Sequence, residues 1–212
     1  MYYLLLLITA IIAYAFGSLS TLTIASLYVF RKNLRKLGKG NTWLSNFRRV
    51  YGMGGILKLL AVELVKDIVP IIIGGLLLSI KGHGDIGRLF AGYCVIVGRQ
   101  WPMFYDFKGG YATAAIIITA FFAQVSIGAA ALIAAVLVIL LTKYISLGSV
   151  AAAAMMLVTS ILVADNQRLI IYISLATLIV VIIRDLPSIV KIAGRKEVKL
   201  SFEKDLNYKF DK

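Results

Sequence analysis

Seven apolar runs separated by short polar breaks leave this chain little choice of solvent. They lie near 3–29, 54–80, 87–105, 111–125, 127–142, 147–164 and 168–184, several of them about twenty residues long and nearly free of charge. In helical form such a run matches the hydrocarbon thickness of a bilayer, where a chain must satisfy its backbone hydrogen bonds within itself. With 60% hydrophobic residues and a mean hydropathy of +0.90, the expected fold is an all-α, polytopic integral membrane bundle of about seven transmembrane helices. In 212 residues these helices leave no room for a separate soluble domain, so a single domain over 1–212 is expected, with a short basic tail over about 185–212. The opening "MYYLLLLITAIIAYAFGSLS" is apolar from its second residue and lacks the positive n-region of a signal peptide, which predicts a retained helix. The fourth and fifth runs are short, with only "AQVSIG" between them; a tight helical hairpin and a partly re-entrant pair both fit.

The net charge of +13 is unevenly spread. Alternating the runs across a membrane puts the 31–53 loop, the 99–110 region, Lys143 and the tail from Arg184 on one side. With Lys58 and Lys66 on the same half of the second run, that side holds every one of the 23 Lys and Arg except Lys81, Arg88 and Arg168. The positive-inside bias makes it the cytoplasmic face of a multi-pass cell-membrane protein, with the N-terminus outside and the C-terminus inside. A face so charged attracts anionic lipid headgroups or phosphorylated ligands; no nucleic-acid partner is expected.

Within that face, "RKNLRKLGKGNTWLSNFRR" at 31–49 contains no acid. Lipid attraction accounts for its charges but not for the Gly, Asn and Ser residues between them. Glycines in "GKGN" let the backbone approach an anion, consecutive N–H groups form a nest, and Asn41, Ser45 and Asn46 supply neutral donors around it. A plain connecting loop has the same glycine spacing, so this stretch alone does not decide. On a helix Glu63, Lys66 and Asp67 share a face at spacings of three and four, which turns their charges towards one another inside the bundle. A structural ion pair is the plain reading of Glu63, and Lys66 is the one placed to reach a substrate phosphate. Cys94, the sole cysteine, allows no intrachain disulfide and reads as a packing residue. The sole histidine, His83, falls in the outer loop "KGHGD" without a Cys or His companion, so neither a metal nor a cofactor is expected.

"GKGNTWLSNFRRVYG" resembles the first signature of the acyl-phosphate-dependent glycerol-3-phosphate acyltransferases, the PlsY type, usually Gly-Ser-Gly-Asn-x-Gly-Ala-Thr-Asn-x-x-Arg-x-x-Gly. Gly38, Gly40, Asn41, Asn46, Arg49 and Gly52 match in register. Ser45 keeps the hydroxyl of the Thr, whereas Lys39 and Trp43 depart. "ELVKD" stands where the family has Asp-x-x-Lys-Gly, with Asp67 in place of the glycine. "GRQWPMFYDFKGGYAT" is similar to the second signature through Gly98, Pro102, Phe107, Lys108, Gly109 and Gly110; Arg99 holds a histidine position, and a second lysine is missing around Tyr111. "TKYISLGS" at 142–149 resembles a further family segment, although a helix start signalled by Ser146 fits it equally. In "IIRDLPSIVKIAG" the third signature is largely eroded, with Asp185, Leu186 and Ser188 in place of His, Arg and Asn.

The resemblance implies transfer of a fatty acyl group from acyl phosphate to the 1-hydroxyl of glycerol 3-phosphate, giving lysophosphatidate for phospholipid synthesis in a bacterial type of cell membrane. It implies catalytic roles for Asn41, Ser45, Asn46 and Lys108, and substrate binding by Gly40, Arg49, Lys66, Arg99, Gly109 and Gly110. A basic cleft with apolar walls suits both substrates, since Arg grips phosphate with two hydrogen bonds and Lys neutralises it as a point charge. An activated mixed anhydride needs positioning and charge stabilisation more than a protein nucleophile. The hydroxyl proton then goes to a substrate phosphate oxygen, to Glu63 or to Asp106; the plain reading of Asp106 is a solvated acid. Two other readings stay open: a non-catalytic or retasked relative that binds a phosphorylated lipid precursor, and a small transporter.

Overall fold

The computed structural model describes residues 1–31, 44–163 and 168–194. Among these every regular element is a helix. The chain runs through α1 (Tyr2–Ser18), the short α2 (Thr21–Ile24), a π turn (Ala25–Val29), α3 (Leu44–Ser79), α4 (Gly84–Gln100), a 3-10 turn (Met103–Tyr105), α5 (Thr113–Ala123), α6 (Val125–Thr142), α7 (Ile145–Val163) and α8 (Arg168–Ala193). Each of the seven apolar runs supplies one of the longer helices. By length and composition, three of these are long and apolar enough to cross a membrane: Val125–Thr142, Ile145–Val163 and Arg168–Ile192. Helices α1 and α5 are equally apolar but shorter.

Four boundaries differ from the hydropathy reading, each for a local reason. The first run breaks after α1, because Ser20 turns out of the helix and its hydroxyl accepts the Thr23 N–H at 3.3 Å, capping α2. The second helix starts ten residues earlier than the run at 54–80, and its one non-helical residue is Gly52, at φ 66° and ψ −165°, a conformation that glycine alone adopts at no steric cost. The third run stays apolar through "WPMFY", yet α4 stops at Gln100, since Pro102 cannot continue a helical hydrogen-bond ladder. The last helix continues nine residues past 184, carrying Asp185 and Ser188 with it. The fourth and fifth runs form a tight hairpin in which Gln124 alone, extended at φ −165° and ψ 144°, lies between α5 and α6.

The described residues form two compact units. One contains Met1–Leu19 and the residues from Asp67 onward, the other the residues within Ser20–Lys66. In the first unit α4 packs against α1, α5 and α8, while α7 lies against α5, α6 and α8. Glycines set how closely α1 approaches α4: a Cβ at Gly17 would strike the Val95 carbonyl, and one at Gly98 the Tyr14 carbonyl. Helix α6 exposes Leu132, Ile133, Val136, Leu137, Leu140 and Leu141 and buries Gly128, Ala131 and Ala135. Apart from the buried Ile127, the large apolar side chains of this helix lie outside and small ones inside, a surface built for lipid and helix contacts built for close approach. In the second unit Phe30 stacks on Tyr51 at 4.0 Å between ring centroids, Phe47 fills the corner between them, and the Lys58 ammonium lies 5.5 Å from the Phe30 ring centre.

Candidate functional site

The segment between α4 and α5, residues 101–112, is irregular backbone held in place by side chains from three helices, α1, α4 and α8. On the α1 side the Tyr14 hydroxyl donates to the Trp101 carbonyl at 2.7 Å, and the Ser18 hydroxyl accepts the Met103 N–H at 3.4 Å. The turn at Met103–Tyr105 then closes on itself, with the Tyr105 and Phe107 N–H groups both donating to the Pro102 carbonyl. Asp106 and Phe107 are left-handed at φ 51° and 56°, and two such non-glycine residues in succession carry a conformational cost that the surrounding contacts offset. They carry the chain round so that Lys108 is exposed and Gly109 lies against the end of α4. A Cβ at Gly109 would collide with the carbonyl oxygens of Arg99 and Gln100, so only glycine fits there; at Gly110 the space is open.

Two arginines hold this segment from beneath. The Arg99 Nε donates to the Tyr111 carbonyl at 2.7 Å, and its Nη1 is 3.6 Å from Oδ2 of the fully buried Asp67 on α3. Arg184 of α8 donates through Nε to the Gln100 carbonyl at 3.2 Å and through Nη2 to the Gly109 carbonyl. The Gly110 N–H bridges to the Arg99 carbonyl at 3.3 Å. The carbonyls of residues 99, 100, 109 and 111 thus all accept hydrogen bonds from inside the protein. A loop whose carbonyl dipoles are occupied inward leaves its lysine and remaining N–H groups as the charge it presents outward. Around this frame the Tyr111 hydroxyl meets the Ser188 hydroxyl at 3.2 Å, and the Ser149 hydroxyl donates to the buried Asp185 carboxylate.

Of the residues expected to form a site, Arg99, Lys108, Gly109 and Gly110 come together here. Glu63 and Lys66 are buried on α3, as their shared face requires. Ser45, Asn46 and Arg49 lie in the first turns of α3. Gly40 and Asn41 fall outside the described residues, as does the tail from residue 195. Asp106 is exposed. His83 stands edge-on to Tyr2 at 5.4 Å between ring centroids, at the opposite end of α1 and α4 from the loop. The residue that sequence reasoning passed over is Arg184, which counts by hydropathy as a tail charge. A signal was present, because Ser174, Thr177, Asp185 and Ser188, all buried, continue one helical face straight through the expected end of the span.

The sequence model of the family described as Glycerol-3-phosphate acyltransferase matches residues 7–194. The chain belongs to this acyltransferase family. Among its relatives, the glycerol-3-phosphate acyltransferase of Thermoanaerobacter pseudethanolicus is 34% identical over 143 residues, covering 68% of this chain and 70% of the relative. That of Staphylococcus carnosus is 27% identical over 209 residues, or 93% of this chain and 99% of the relative. A crystal structure of PlsY (YgiH), an integral membrane glycerol 3-phosphate acyltransferase, in its glycerol 3-phosphate form has the same fold, with a TM-score of 0.71 over 92% of this chain and 96% of that one at 22% identity. Its lysophosphatidic acid form gives the same TM-score at 21% identity, over 92% and 94%. This acyltransferase is therefore an all-α integral membrane enzyme, and its family membership spans both the loop at 101–112 and the part of α8 that buttresses it.

Proposed function

We propose that this acyltransferase moves a fatty acyl group from acyl phosphate to the 1-hydroxyl of glycerol 3-phosphate, at the basic face of the membrane, and that this face is cytoplasmic with the N-terminus outside. The observation that carries the reading is the loop at 108–110, where an exposed lysine and two glycines stand on a backbone whose Gln100, Gly109 and Tyr111 carbonyls are engaged by arginines inside the protein. With those carbonyl dipoles turned inward, the loop attracts an anion with the charge of its lysine. Both substrates are anions, and the acyl tail of the donor is at home against the lipid-facing helices.

In the reaction the glycerol hydroxyl oxygen attacks the acyl carbonyl carbon, the bond from that carbon to the phosphate oxygen breaks, and the hydroxyl proton leaves with the phosphate. The products are lysophosphatidate and inorganic phosphate. Lys108 neutralises charge on the phosphate as it departs, with the Gly109 N–H beside it and Gly110 allowing close approach. Arg49 and Lys66 bind phosphate, Gly40 donates from its backbone, and Asn41, Ser45 and Asn46 orient the acyl phosphate or the acceptor hydroxyl. Arg99 contributes positive charge from beneath while it holds the Tyr111 carbonyl.

Purified protein in detergent, supplied with acyl phosphate and glycerol 3-phosphate, is expected to form lysophosphatidate, and acyl thioesters are not expected to replace the donor. Lys108→Ala is expected to lower turnover about 100-fold, in line with the loss of one preorganised charge at a developing anion. Absence of product from the wild-type protein, or full turnover by Lys108→Ala, would overturn the reading.

A further inference from the structure

We propose that Arg184 is a positioning residue for acyl transfer: its guanidinium, reaching from α8, fixes the carbonyls of Gln100 and Gly109 and thereby sets where Lys108 and the Gly109 N–H stand. The proposal rests on the acyl-transfer reading for its kinetic consequences, but not for its geometry.

The geometry is specific to arginine. Gln100 is the last residue of α4 and Gly109 lies nine positions along the chain, on the returning side of the loop, so one side chain ties the start of the irregular segment to its end. Two donors fixed in one plane can hold two carbonyls at a set separation; a lysine ammonium has no such fork. The peptide plane that presents its carbonyl to Arg184 is the one that joins Gly109 to Gly110, directly after Lys108. Without the clamp that peptide keeps only the hydrogen bond from its Gly110 N–H to the Arg99 carbonyl, at 3.3 Å, and neither glycine has a side chain to resist a change in its orientation. Arg99 holds the next carbonyl, at Tyr111, but its support comes from Asp67 on α3. Of the two arginine struts, the one from α8 acts closest to Lys108. This gives the last helix a part in the reaction although the signature expected there is eroded. Asp185, adjacent to Arg184, is engaged by the Ser149 hydroxyl of α7, which fixes the turn of α8 from which Arg184 projects.

The test compares Arg184→Ala and Arg184→Lys with the wild-type protein and with Arg184→Gln, each purified to a single folded species, and with Arg168→Ala at the exposed start of α8 as a control. Arg184→Ala is expected to lower kcat at least tenfold while KM for glycerol 3-phosphate changes less than threefold, and Arg184→Lys is expected not to restore kcat. Hydrogen–deuterium exchange in peptides covering 101–112 is expected to speed up in both variants and to stay unchanged in Arg168→Ala. A folded Arg184→Ala with kcat within twofold of wild type, restoration by Arg184→Lys, or unchanged exchange in that segment would each overturn the proposal. Should Arg184→Ala not fold, Arg184→Lys and Arg184→Gln decide by the same readings. If the wild-type protein shows no turnover, the acyl-transfer reading fails while the exchange measurement still decides whether Arg184 fixes the loop.

Discussion

The two ends of α4 use the same parts in different solvents. At its start stand a glycine turn, an arginine and an aspartate: Gly82 at φ 75°, and Arg88 with Asp85 at 3.3 Å, their side chains 44% and 89% exposed. At its finish stand another glycine pair, another arginine and another aspartate: Gly109 and Gly110, and Arg99 with Asp67 at 3.6 Å, side chains 20% and 0% exposed. Composition alone does not distinguish them. Burial does, because an exposed pair competes with water and salt, whereas a buried one has only its partners. At the start the turn merely reverses the chain. At the finish, side chains from α1, α4 and α8 fix the backbone from within, and the loop becomes a rigid support for Lys108.

The sharpest way to break this contrast is to add one methyl group to each turn. In Gly109→Ala the new Cβ meets the Arg99 and Gln100 carbonyls and Cδ of Pro102, all parts of a frame that cannot move aside. A shift of the Lys108 segment by about 1 Å is expected to cost about 100-fold in turnover, measured as kcat on folded protein. Gly82→Ala strains a left-handed residue but meets nothing within 4 Å, so it is expected to lower stability by about 1 kcal/mol while leaving turnover within twofold. Equal effects on turnover at the two positions would abolish the distinction between a reversing turn and a working one.

Next in size is the pair of aspartates. Asp67→Ala leaves the Arg99 guanidinium without its buried carboxylate, which is expected to cost about 3 kcal/mol, or a melting midpoint lowered by about 6 to 12 °C. Asp85→Ala removes an exposed partner, for which the expectation is under about 1 kcal/mol and a shift of at most about 2 to 4 °C. Thermal unfolding in one detergent measures both, and comparable shifts would show that burial does not separate the two ends.

How far the sequence carried is visible at the same two ends. Hydropathy located all the long helices, because lipid-facing side chains must be apolar whatever their neighbours are, and that requirement is written residue by residue. The loop motif at Gly98–Gly110 was legible for a similar reason, since glycines and lysine at fixed spacing have few other uses. What stayed hidden was long-range pairing. Arg184 reads as a cation at the edge of a span; nothing local says that α8 passes this point and delivers a guanidinium to the end of α4. Asp67 likewise looked like one member of a charged face, and its partner Arg99 is 32 positions away in the sequence. Hydrogen bonds between separate helices depend on the crossing of those helices, which composition and period do not encode.

The smallest expected effect concerns His83, and it bears on the chemistry. As the sole histidine it is the obvious choice for a general base. Yet it immediately precedes α4, whose 17 residues at about 1.5 Å of rise each put about 25 Å between it and the Lys108 loop. Its ring is occupied with the edge of Tyr2, and a proton cannot be passed over such a distance without a chain of carriers. His83→Ala is therefore expected to leave kcat within twofold and the pH dependence of kcat/KM unaltered near neutrality, in contrast with Gly109→Ala at the other end of the same helix. A tenfold loss in His83→Ala would mean that proton transfer runs through the end of α4 that is built only to turn the chain.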